Sequence, residues 1–355
     1  MDLLRSTAIG LVLAAHSLAV LPSGTWEHLP LAKAGFFGVE LFFVLSGFLI
    51  GGILIRQIET SPLTPRSIFD FWRRRWIRTI PNYLLFLMLA IFVEVLVHRA
   101  TMPSWKYFIF SQNLAWAPPP HMPESWSLAV EEWFYLLCPI ILGGISAVSG
   151  KIRTWHLALI LLALTMPRFV FLYANFGIDI DWDSQIKKVV IFRLDAIFFG
   201  VFVAWIYAKR RAEVEHYSIP AFLIGCALIV CSAFIVSREY SVELSAAQKI
   251  LRGGAIFSIT SLGYALTIPL ALRYRSPSNS LAVFVAAFSK ISYSLYLAHL
   301  SLALPISVRI FRESDVAYSI LAFLGLSIGI STVIFLYFEH PITSLRERWK
   351  IRHKG

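Results

Sequence analysis

The stretch "GFFGVELFFVLSGFLIGGIL", residues 35–54, decides the class of fold to which this chain belongs. Its only charged side chain is Glu40. A run of about 20 apolar residues is what an α-helix needs to cross the hydrocarbon core of a bilayer. The stretch therefore predicts a transmembrane helix that carries one carboxylate.

The rest of the chain has the same apolar character. Of 355 residues, 57% are hydrophobic and 15% are charged, and the mean hydropathy is +0.69. In a typical soluble domain, about a quarter of the residues are charged. We predict an all-α integral membrane protein, a bundle of about ten transmembrane helices with a central polar cavity. The predicted spans lie near 3–21, 34–55, 80–98, 126–148, 156–173, 188–208, 219–237, 251–272, 281–308 and 316–338.

The distribution of lysine and arginine predicts the orientation. With the N-terminus inside, the inner loops and the tail carry a clear majority of these residues, which places both termini in the cytoplasm. This signal accounts for the net charge of +11 without nucleic acid as a partner. We expect one membrane domain over 1–345 and a basic cytoplasmic tail over 346–355. The sequence contains no metal-ligand spacing, and its three cysteines fall inside predicted helices.

Ionisable residues inside the predicted spans are the informative ones. Each costs about 2.5–3.5 kcal/mol on insertion scales at a helix centre, so such residues usually face protein or water. Together they predict a polar cavity, which suits an enzyme or a transporter. The deep candidates are His16, Glu40, Glu131, Glu132, Arg168, Arg193, Asp195 and His299.

Arg5 and His16 share one face of the first predicted helix. Eleven helical steps advance about 16 Å and return to within about 20° of the starting azimuth. A cleaved signal peptide is the competing interpretation of 1–22. His16 interrupts its apolar region, however, and nine further predicted spans follow it.

A series of motifs follows in order along the chain. They are "FFVLSGFLI" (42–50), "FDFWRRRWIRTIPNYL" (69–84), "FIFSQNLAW" (108–116), "SWSLAVEEWFYLLCPI" (125–140), "RLDAIFFG" (193–200), "SKISYSLYLAHLSL" (289–302) and "FEHPI" (338–342). With Arg5 and His16 in front, the set resembles the acyltransferase-3 family of integral membrane acyltransferases. The resemblance runs from residue 2 to about residue 342.

This resemblance implies O-acylation, most often O-acetylation, of a carbohydrate or another hydroxyl-bearing molecule. The implied donor is an acyl-CoA, most often acetyl-CoA, used from the cytoplasmic side of a bacterial inner membrane. The chain departs from the family in carrying Glu40 where aspartate is common and Trp133 where glutamine is frequent. Many relatives also carry a C-terminal periplasmic domain, whereas this chain is expected to act as a stand-alone membrane domain.

The chemistry assigns expected roles to the matching positions. We expect His16 to act as the catalytic base and Arg5 to hold donor phosphate. Arg75 and Arg78, spaced i, i+3 before a proline, match the family's arginines and are further donor-binding candidates, with Tyr293 as a hydroxyl donor to the cavity.

Two carboxylate candidates leave alternatives open. Glu131 and Glu132 point about 100° apart, so only one of them easily faces a given cavity. Either could orient His16, bind a sugar hydroxyl or pair with an arginine. Glu40, the other acidic candidate for the catalytic site, is expected to pair with His16 or Arg5.

The sequence leaves further questions open. A transporter of an anionic glycan or lipid is the alternative function, although the repeated topology that many transporters show is not found. The acceptor is a surface polysaccharide, a lipopolysaccharide or a lipid-linked sugar, and the oligomeric state is open. Arg73 and Arg74 are expected to anchor the chain to membrane lipids. Trp116 and Trp126 serve either as part of an interfacial belt or as sugar-stacking surfaces.

Overall fold

The computed structural model describes residues 1–22, 24–27, 29–98, 103–237, 246–273, 279–310 and 315–344. Within these ranges the regular structure is entirely helical. The helices are α1 (Asp2–Ser17), α2 (Ala34–Thr60), α3 (Pro65–His98), α4 (Ser125–Ser149), α5 (Thr154–Ala174), α6 (Leu194–Lys209), α7 (Arg211–His216), α8 (Ser218–Ser237), α9 (Ala246–Ile250), α10 (Ile256–Arg273), α11 (Ser280–Ala298), α12 (Leu304–Ile310) and α13 (Val316–Ile334). The predicted tail over 346–355 lies outside the described residues.

Nine segments of the described ranges are long and apolar enough to cross a membrane. Two of them turn most of their surface outward: only 11% of the apolar stretch of α5 and 17% of that of α8 is buried inside the protein. Such helices are stable where lipid rather than water surrounds them. The prediction of a multi-pass, all-α membrane bundle is confirmed.

The predicted span at 188–208 corresponds to α6, which has 16 residues. It runs parallel to α2, from the ion pair of Arg193 with Glu40 near its start to the ion pair of Lys209 with Glu59 at its end. α6 therefore follows much of the length of α2, although it is shorter than the nine described segments that are long enough to cross a membrane.

Two glycines set the contact between α2 and α6. A Cβ atom added to Gly47 would lie 1.7 Å from the carbonyl oxygen of Ile197, and one added to Gly200 would lie 2.0 Å from that of Val44. Both distances are far inside van der Waals contact. Close backbone approach through small residues is the usual basis of tight helix packing in membranes.

The helix α1 packs antiparallel to α2. A Cβ atom on Gly38 would lie 2.5 Å from the carbonyl oxygen of Ala8, and one on Gly35 would lie 3.3 Å from Cβ of Ala15. Rising residue numbers in α1 therefore match falling numbers in α2. This arrangement places the C-terminal end of α1, with His16, beside the N-terminal end of α2.

The helix that carries the third span begins well before the predicted apolar stretch. The structure has one helix of 34 residues, α3, where the sequence predicts a basic amphipathic stretch and a span from residue 80. A helix of this length measures about 51 Å, well beyond the hydrocarbon core of a bilayer. Hydropathy excluded the arginine-rich turns from the span, although nothing in them breaks the helix.

Candidate active site

A cavity of about 320 Å³ lies between α1, α2, α3, α4 and α11. Along α2 its wall extends from Val39 to Ile53, a distance of about 21 Å. Leu49 and Ile53 line one end, while Val39, Ser127 and Tyr296 form the opposite end. This is the polar cavity that the sequence predicts inside the bundle.

Three arginines meet in this cavity. Arg5 of α1 and the pair Arg75 and Arg78 of α3 all line its wall, and the charges of Arg75 and Arg78 act on Arg5. The Nε atom of Arg75 is buried without a hydrogen-bond partner. Concentrated cationic donors of this kind suit phosphate, which guanidinium groups bind bidentately. The structure thus brings together the three arginines predicted to hold the donor.

The tyrosine at position 135 connects the arginines to the carboxylate of Glu131. The Arg75 guanidinium lies 4.6 Å from the centre of the Tyr135 ring. The Tyr135 hydroxyl donates to Glu131 Oε2 at 2.9 Å and forms a second hydrogen bond with the Ser46 hydroxyl. Glu131 therefore belongs to the arginine cluster and makes no contact that would orient His16.

The structure distinguishes the two adjacent glutamates. Glu131 lines the cavity, whereas Glu132 does not and interacts with Thr79 instead. Tyr293 also lines the cavity, but its hydroxyl donates to the backbone carbonyl of Thr79 at 3.0 Å. Its ring, rather than a free hydroxyl, is what Tyr293 presents to the cavity in this state.

His16 lies in the last turn of α1, where it pairs with a second histidine. Its Nδ1 atom lies 3.0 Å from Nε2 of His299. Nδ1 of His299 lies 2.6 Å from the carbonyl oxygen of Tyr296. His299 begins a single π-helical turn, residues His299–Ala303, that follows α11. Such wide turns are frequent at functional sites.

This chain of hydrogen bonds assigns the tautomers of both neutral rings. A carbonyl oxygen only accepts, so Nδ1 of His299 carries a proton and its Nε2 accepts. The proton between the rings therefore belongs to Nδ1 of His16. Nε2 of His16 retains its lone pair and lies on the side of Gly35, where a Cβ atom would be 3.7 Å away. His16 has the protonation pattern of a general base.

The histidine pair lies just beyond the far end of the cavity. Tyr296 lines the cavity, and its ring centre is 5.5 Å from that of His299. Phe42, also in the cavity wall, packs edge-on against Tyr296 at 6.3 Å. The Tyr296 hydroxyl forms a 2.6 Å hydrogen bond with the Ser127 hydroxyl. Aromatic rings therefore separate the arginine-lined cavity from His16.

Glu40 does not contact His16 or Arg5, the two partners expected from sequence. Its carboxylate pairs with the Arg193 guanidinium and accepts from the Ser261 hydroxyl at 2.9 Å. The reason is its position on the face of α2 that packs against α6 and α10 rather than α1. The acidic candidate on α2 is thus part of a buried ion pair.

A second buried ion pair lies close to the first. The Arg168 guanidinium donates to both carboxylate oxygens of Asp195, at 3.1 and 2.9 Å. The guanidinium carbons of Arg193 and Arg168 lie 3.9 and 5.1 Å from the centre of the Phe257 ring. Arginine, carboxylate and aromatic groups together join α2, α5, α6 and α10.

The sequence leaves open whether Trp116 and Trp126 stack on a sugar, and neither ring presents a free face beside the cavity. Trp126 is only 7% exposed and packs edge-on against Phe43 at 5.9 Å. Trp116 is more exposed, but the Lys106 ammonium lies 4.0 Å from the centre of its ring. Its indole N–H donates to the Gln112 carbonyl at 2.9 Å. These contacts favour structural roles for both side chains.

His299 is the site residue whose role the sequence did not predict. The sequence marks it as a deep ionisable residue within "SYSLYLAH", but only the folded structure brings it to His16. Its position inside a predicted span was the one indication of a role, since an ionisable residue within a membrane helix usually marks a functional site. The spacing to its partner, almost the length of the chain, gives no local pattern to recognise.

Similarity to known proteins agrees with this geometry. A peptidoglycan O-acetyltransferase OatA of Listeria monocytogenes is 32% identical over 157 residues, which is 40% of this chain and 23% of that protein. An O-acetyltransferase OatA of Staphylococcus aureus is 25% identical over 342 residues, which is 87% of this chain and 53% of that protein. A putative O-acetyltransferase of the same species is 24% identical over 294 residues, 75% of this chain and 45% of that protein.

The chain spans about half the length, or less, of these curated relatives. No solved structure matches it significantly. The family profile described as "Acyltransferase domain" matches residues 1–337, nearly the whole chain. Together with the arginine-lined cavity and the histidine pair, this match shows that the chain belongs to the acyltransferase-3 family of integral membrane acyltransferases.

Proposed function

We propose that this protein is a membrane O-acetyltransferase that transfers an acetyl group from acyl-CoA to a hydroxyl group of a carbohydrate. The observation that carries the proposal is the placement of two chemical functions along one helix. Arg5 lies among cationic side chains in the cavity, and His16 lies beyond its far end with a lone pair on Nε2. About 16 Å of helix axis separates the two residues, a distance that suits the pantetheine arm of CoA.

The arginine cluster supports the role proposed for the donor site. CoA carries several phosphate groups, and Arg5, Arg75 and Arg78 present guanidinium groups to one cavity. The buried, unpartnered Nε of Arg75 is a donor available to a ligand. We infer that these side chains hold the phosphates while the pantetheine arm extends toward Tyr296.

His16 supplies the proton transfer that the reaction needs. Nε2 takes the proton from the acceptor hydroxyl as its oxygen attacks the thioester carbonyl. The tetrahedral intermediate then expels the CoA thiolate, and the proton on Nε2 passes to that sulfur. His299 stabilises the imidazolium in between, because its Nε2 accepts from Nδ1 of His16. Phe42 and Tyr296 have to turn aside for the thioester to reach His16.

The acceptor and the membrane orientation are inferred from different observations. One relative is named a peptidoglycan O-acetyltransferase, which favours a carbohydrate of the cell envelope as acceptor. The excess of lysine and arginine in the inner loops favours cytoplasmic termini. The arginine cluster lies toward the N-terminal end of α1. With the N-terminus in the cytoplasm, the cluster lies at the cytoplasmic side of a bacterial inner membrane, where acyl-CoA is available. A transport function lacks comparable support in this family.

The test is mass spectrometry of envelope glycans and lipid-linked sugars from cells that lack the gene. Complementation with the wild type is expected to add an acetyl mass increment to one glycan, and His16→Ala is expected to abolish it. His216→Ala, at an exposed histidine of α7, serves as the matched control and should restore the increment. Full restoration by His16→Ala would show that His16 is not the base.

A second arm separates donor binding from chemistry. Purified Arg5→Ala should bind acetyl-CoA about 10- to 100-fold more weakly, since a charge-assisted phosphate contact is lost. His16→Ala should bind it with wild-type affinity. Loss of donor binding in a folded His16→Ala protein would contradict this division of roles.

A further inference from the structure

A second cationic cluster lies near the other end of α1. It consists of Lys187 and Lys188, whose ammonium groups both pair with the carboxylate of Asp183. These residues lie in the segment between α5 and α6, where Asp183–Lys187 forms a single π-helical turn. The lysine side chains are mostly covered, with 17% and 24% of their surface exposed.

The cluster carries one positive charge more than its own carboxylate balances. Two ammonium groups share the single carboxylate of Asp183. Burial lowers the pKa of Lys187, and the neighbouring Lys188 charge lowers it as well, while Asp183 acts in the opposite direction. A further anion bound here would therefore stabilise the charged form of Lys187.

The segment is held firmly in place. Nδ2 of Asn113 donates to the carbonyl oxygen of Lys188 at 2.5 Å. The Trp182 ring stacks on Phe257 with a centroid distance of 5.4 Å, and its indole N–H donates to the Arg252 carbonyl at 2.8 Å. The two lysines are thus fixed by backbone and aromatic contacts, as a preformed binding group requires.

The cluster lies beside the end of α1 that carries His16, away from the arginines of the donor cavity. Nε2 of His16 lies on the side of Gly35, and the ring of the next residue, Phe36, is 5.7 Å from the Trp182 ring. The Lys187 ammonium lies 5.4 Å from the centre of the same Trp182 ring. His16 therefore lies between two cationic sites, and neither lysine lines the cavity of the arginines.

We propose that Lys187 and Lys188 form the acceptor subsite, which binds a carboxylate or phosphate group of the sugar and so brings its hydroxyl to Nε2 of His16. This inference rests on the proposed function and names the class of acceptor, an anionic carbohydrate. The two lysines are positioning residues, because they hold the acceptor while His16 moves the proton.

The probes are three methyl β-D-glucosides that differ only at carbon 6: the uronic acid, the 6-phosphate and the neutral 6-deoxy sugar. Full-length protein in lipid nanodiscs receives acetyl-CoA and each sugar, and acetylated product is quantified by mass spectrometry. The charged sugars should be acetylated with a kcat/KM at least about tenfold above that of the neutral one. Preference for the uronic acid or for the phosphate distinguishes the two sources of charge.

The variants separate binding from folding. Lys187→Gln/Lys188→Gln should lose the preference for charged sugars, because the KM for these sugars rises toward that of the neutral sugar. Lys187→Arg/Lys188→Arg should retain it. Lys188→Gln alone, at the more exposed lysine, replaces the double variant if that protein does not fold. Lys106→Gln, at the lysine that covers Trp116, is the matched control.

A binding readout is independent of turnover. The charged sugars should protect Lys188 from a membrane-impermeant amine-reactive ester, as measured by peptide mass spectrometry, and the neutral sugar should not. If the protein acetylates all three sugars with equal kcat/KM, or if neither charged sugar protects Lys188 from the ester, the two lysines do not form an acceptor subsite. Acetylation of envelope glycans in cells would still stand in that case, so the proposed function is tested separately.

Discussion

At the scale of single residues, the hydrogen bond between His16 and His299 fixes the tautomer of His16, the proposed base. Replacing His299 by phenylalanine removes the acceptor for Nδ1–H of His16, so the ring loses its fixed tautomer and the partner that stabilises its charge. We expect the rate of acetyl transfer to fall about 10- to 100-fold, the cost of losing a hydrogen bond to a charged group. Initial rates with purified protein measure this effect.

His299→Gln is the conservative comparison. A glutamine amide oxygen at this position can accept from Nδ1–H of His16, so this variant should retain more activity than His299→Phe. Both variants should bind acetyl-CoA as the wild type does, because His299 does not line the donor cavity. Equal loss in the two variants would show that the hydrogen bond to His16 is not what matters.

The sequence predicted the composition of the candidate site better than its contacts. Arg5, Arg75, Arg78, Glu131 and Tyr293 all line one cavity, because motif and helical spacing already placed them on suitable faces. The partner of Glu40 and the pairing of His16 depend instead on how helices rotate against each other. That rotation follows from packing across the whole bundle, which no local pattern records.

At the scale of helices, the crossing of α2 and α6 depends on the absence of side chains at Gly47 and Gly200. Gly47→Ala would place a methyl group 1.7 Å from the Ile197 carbonyl oxygen, so the helices would have to separate. We expect a loss of about 1–3 kcal/mol or more in stability, the usual range for an overpacked site. Thermal unfolding in detergent, followed by size-exclusion chromatography, measures the change.

Gly52→Ala is the control within the same helix. Nothing lies within 4 Å of a Cβ atom at Gly52, and alanine favours the helix over glycine. This variant should be as stable as the wild type or slightly more so. If Gly47→Ala and Gly52→Ala behave alike, the α2–α6 contact is looser than its geometry indicates.

Hydropathy predicted about ten spans, and nine segments of the described residues are long and apolar enough to cross a membrane. It did not predict that the arginine-rich stretch before the third span belongs to the same helix, because arginines resemble a loop when only polarity is scored. It also extended the sixth span to 188–208, whereas α6 begins at Leu194. The apolar residues before it form a short turn, Val190–Phe192, whose backbone pairs with Asn113 and Leu114.

At the scale of the whole molecule, we propose that the two cationic sites mark a donor end and an acceptor end of the bundle. Arg5 belongs to the first, Lys187 and Lys188 belong to the second, and His16 lies between them. Phe42 and Tyr296 close the cavity on the way to His16. A protein with this layout can acetylate a sugar on one side of a membrane with a donor that never leaves the other.

Proteoliposomes test this two-sided layout. Full-length protein is reconstituted, and molecules with the Arg5 end outward are selected by an affinity tag at the N-terminus. Acetyl-CoA is added outside, and the acceptor identified in cells is either enclosed or added outside. We expect acetylated sugar only with enclosed acceptor, because the donor cavity and the lysine subsite open toward opposite sides. Product formed only when both substrates are outside would place both sites at one end, and the lysines would then lie off the acceptor's path.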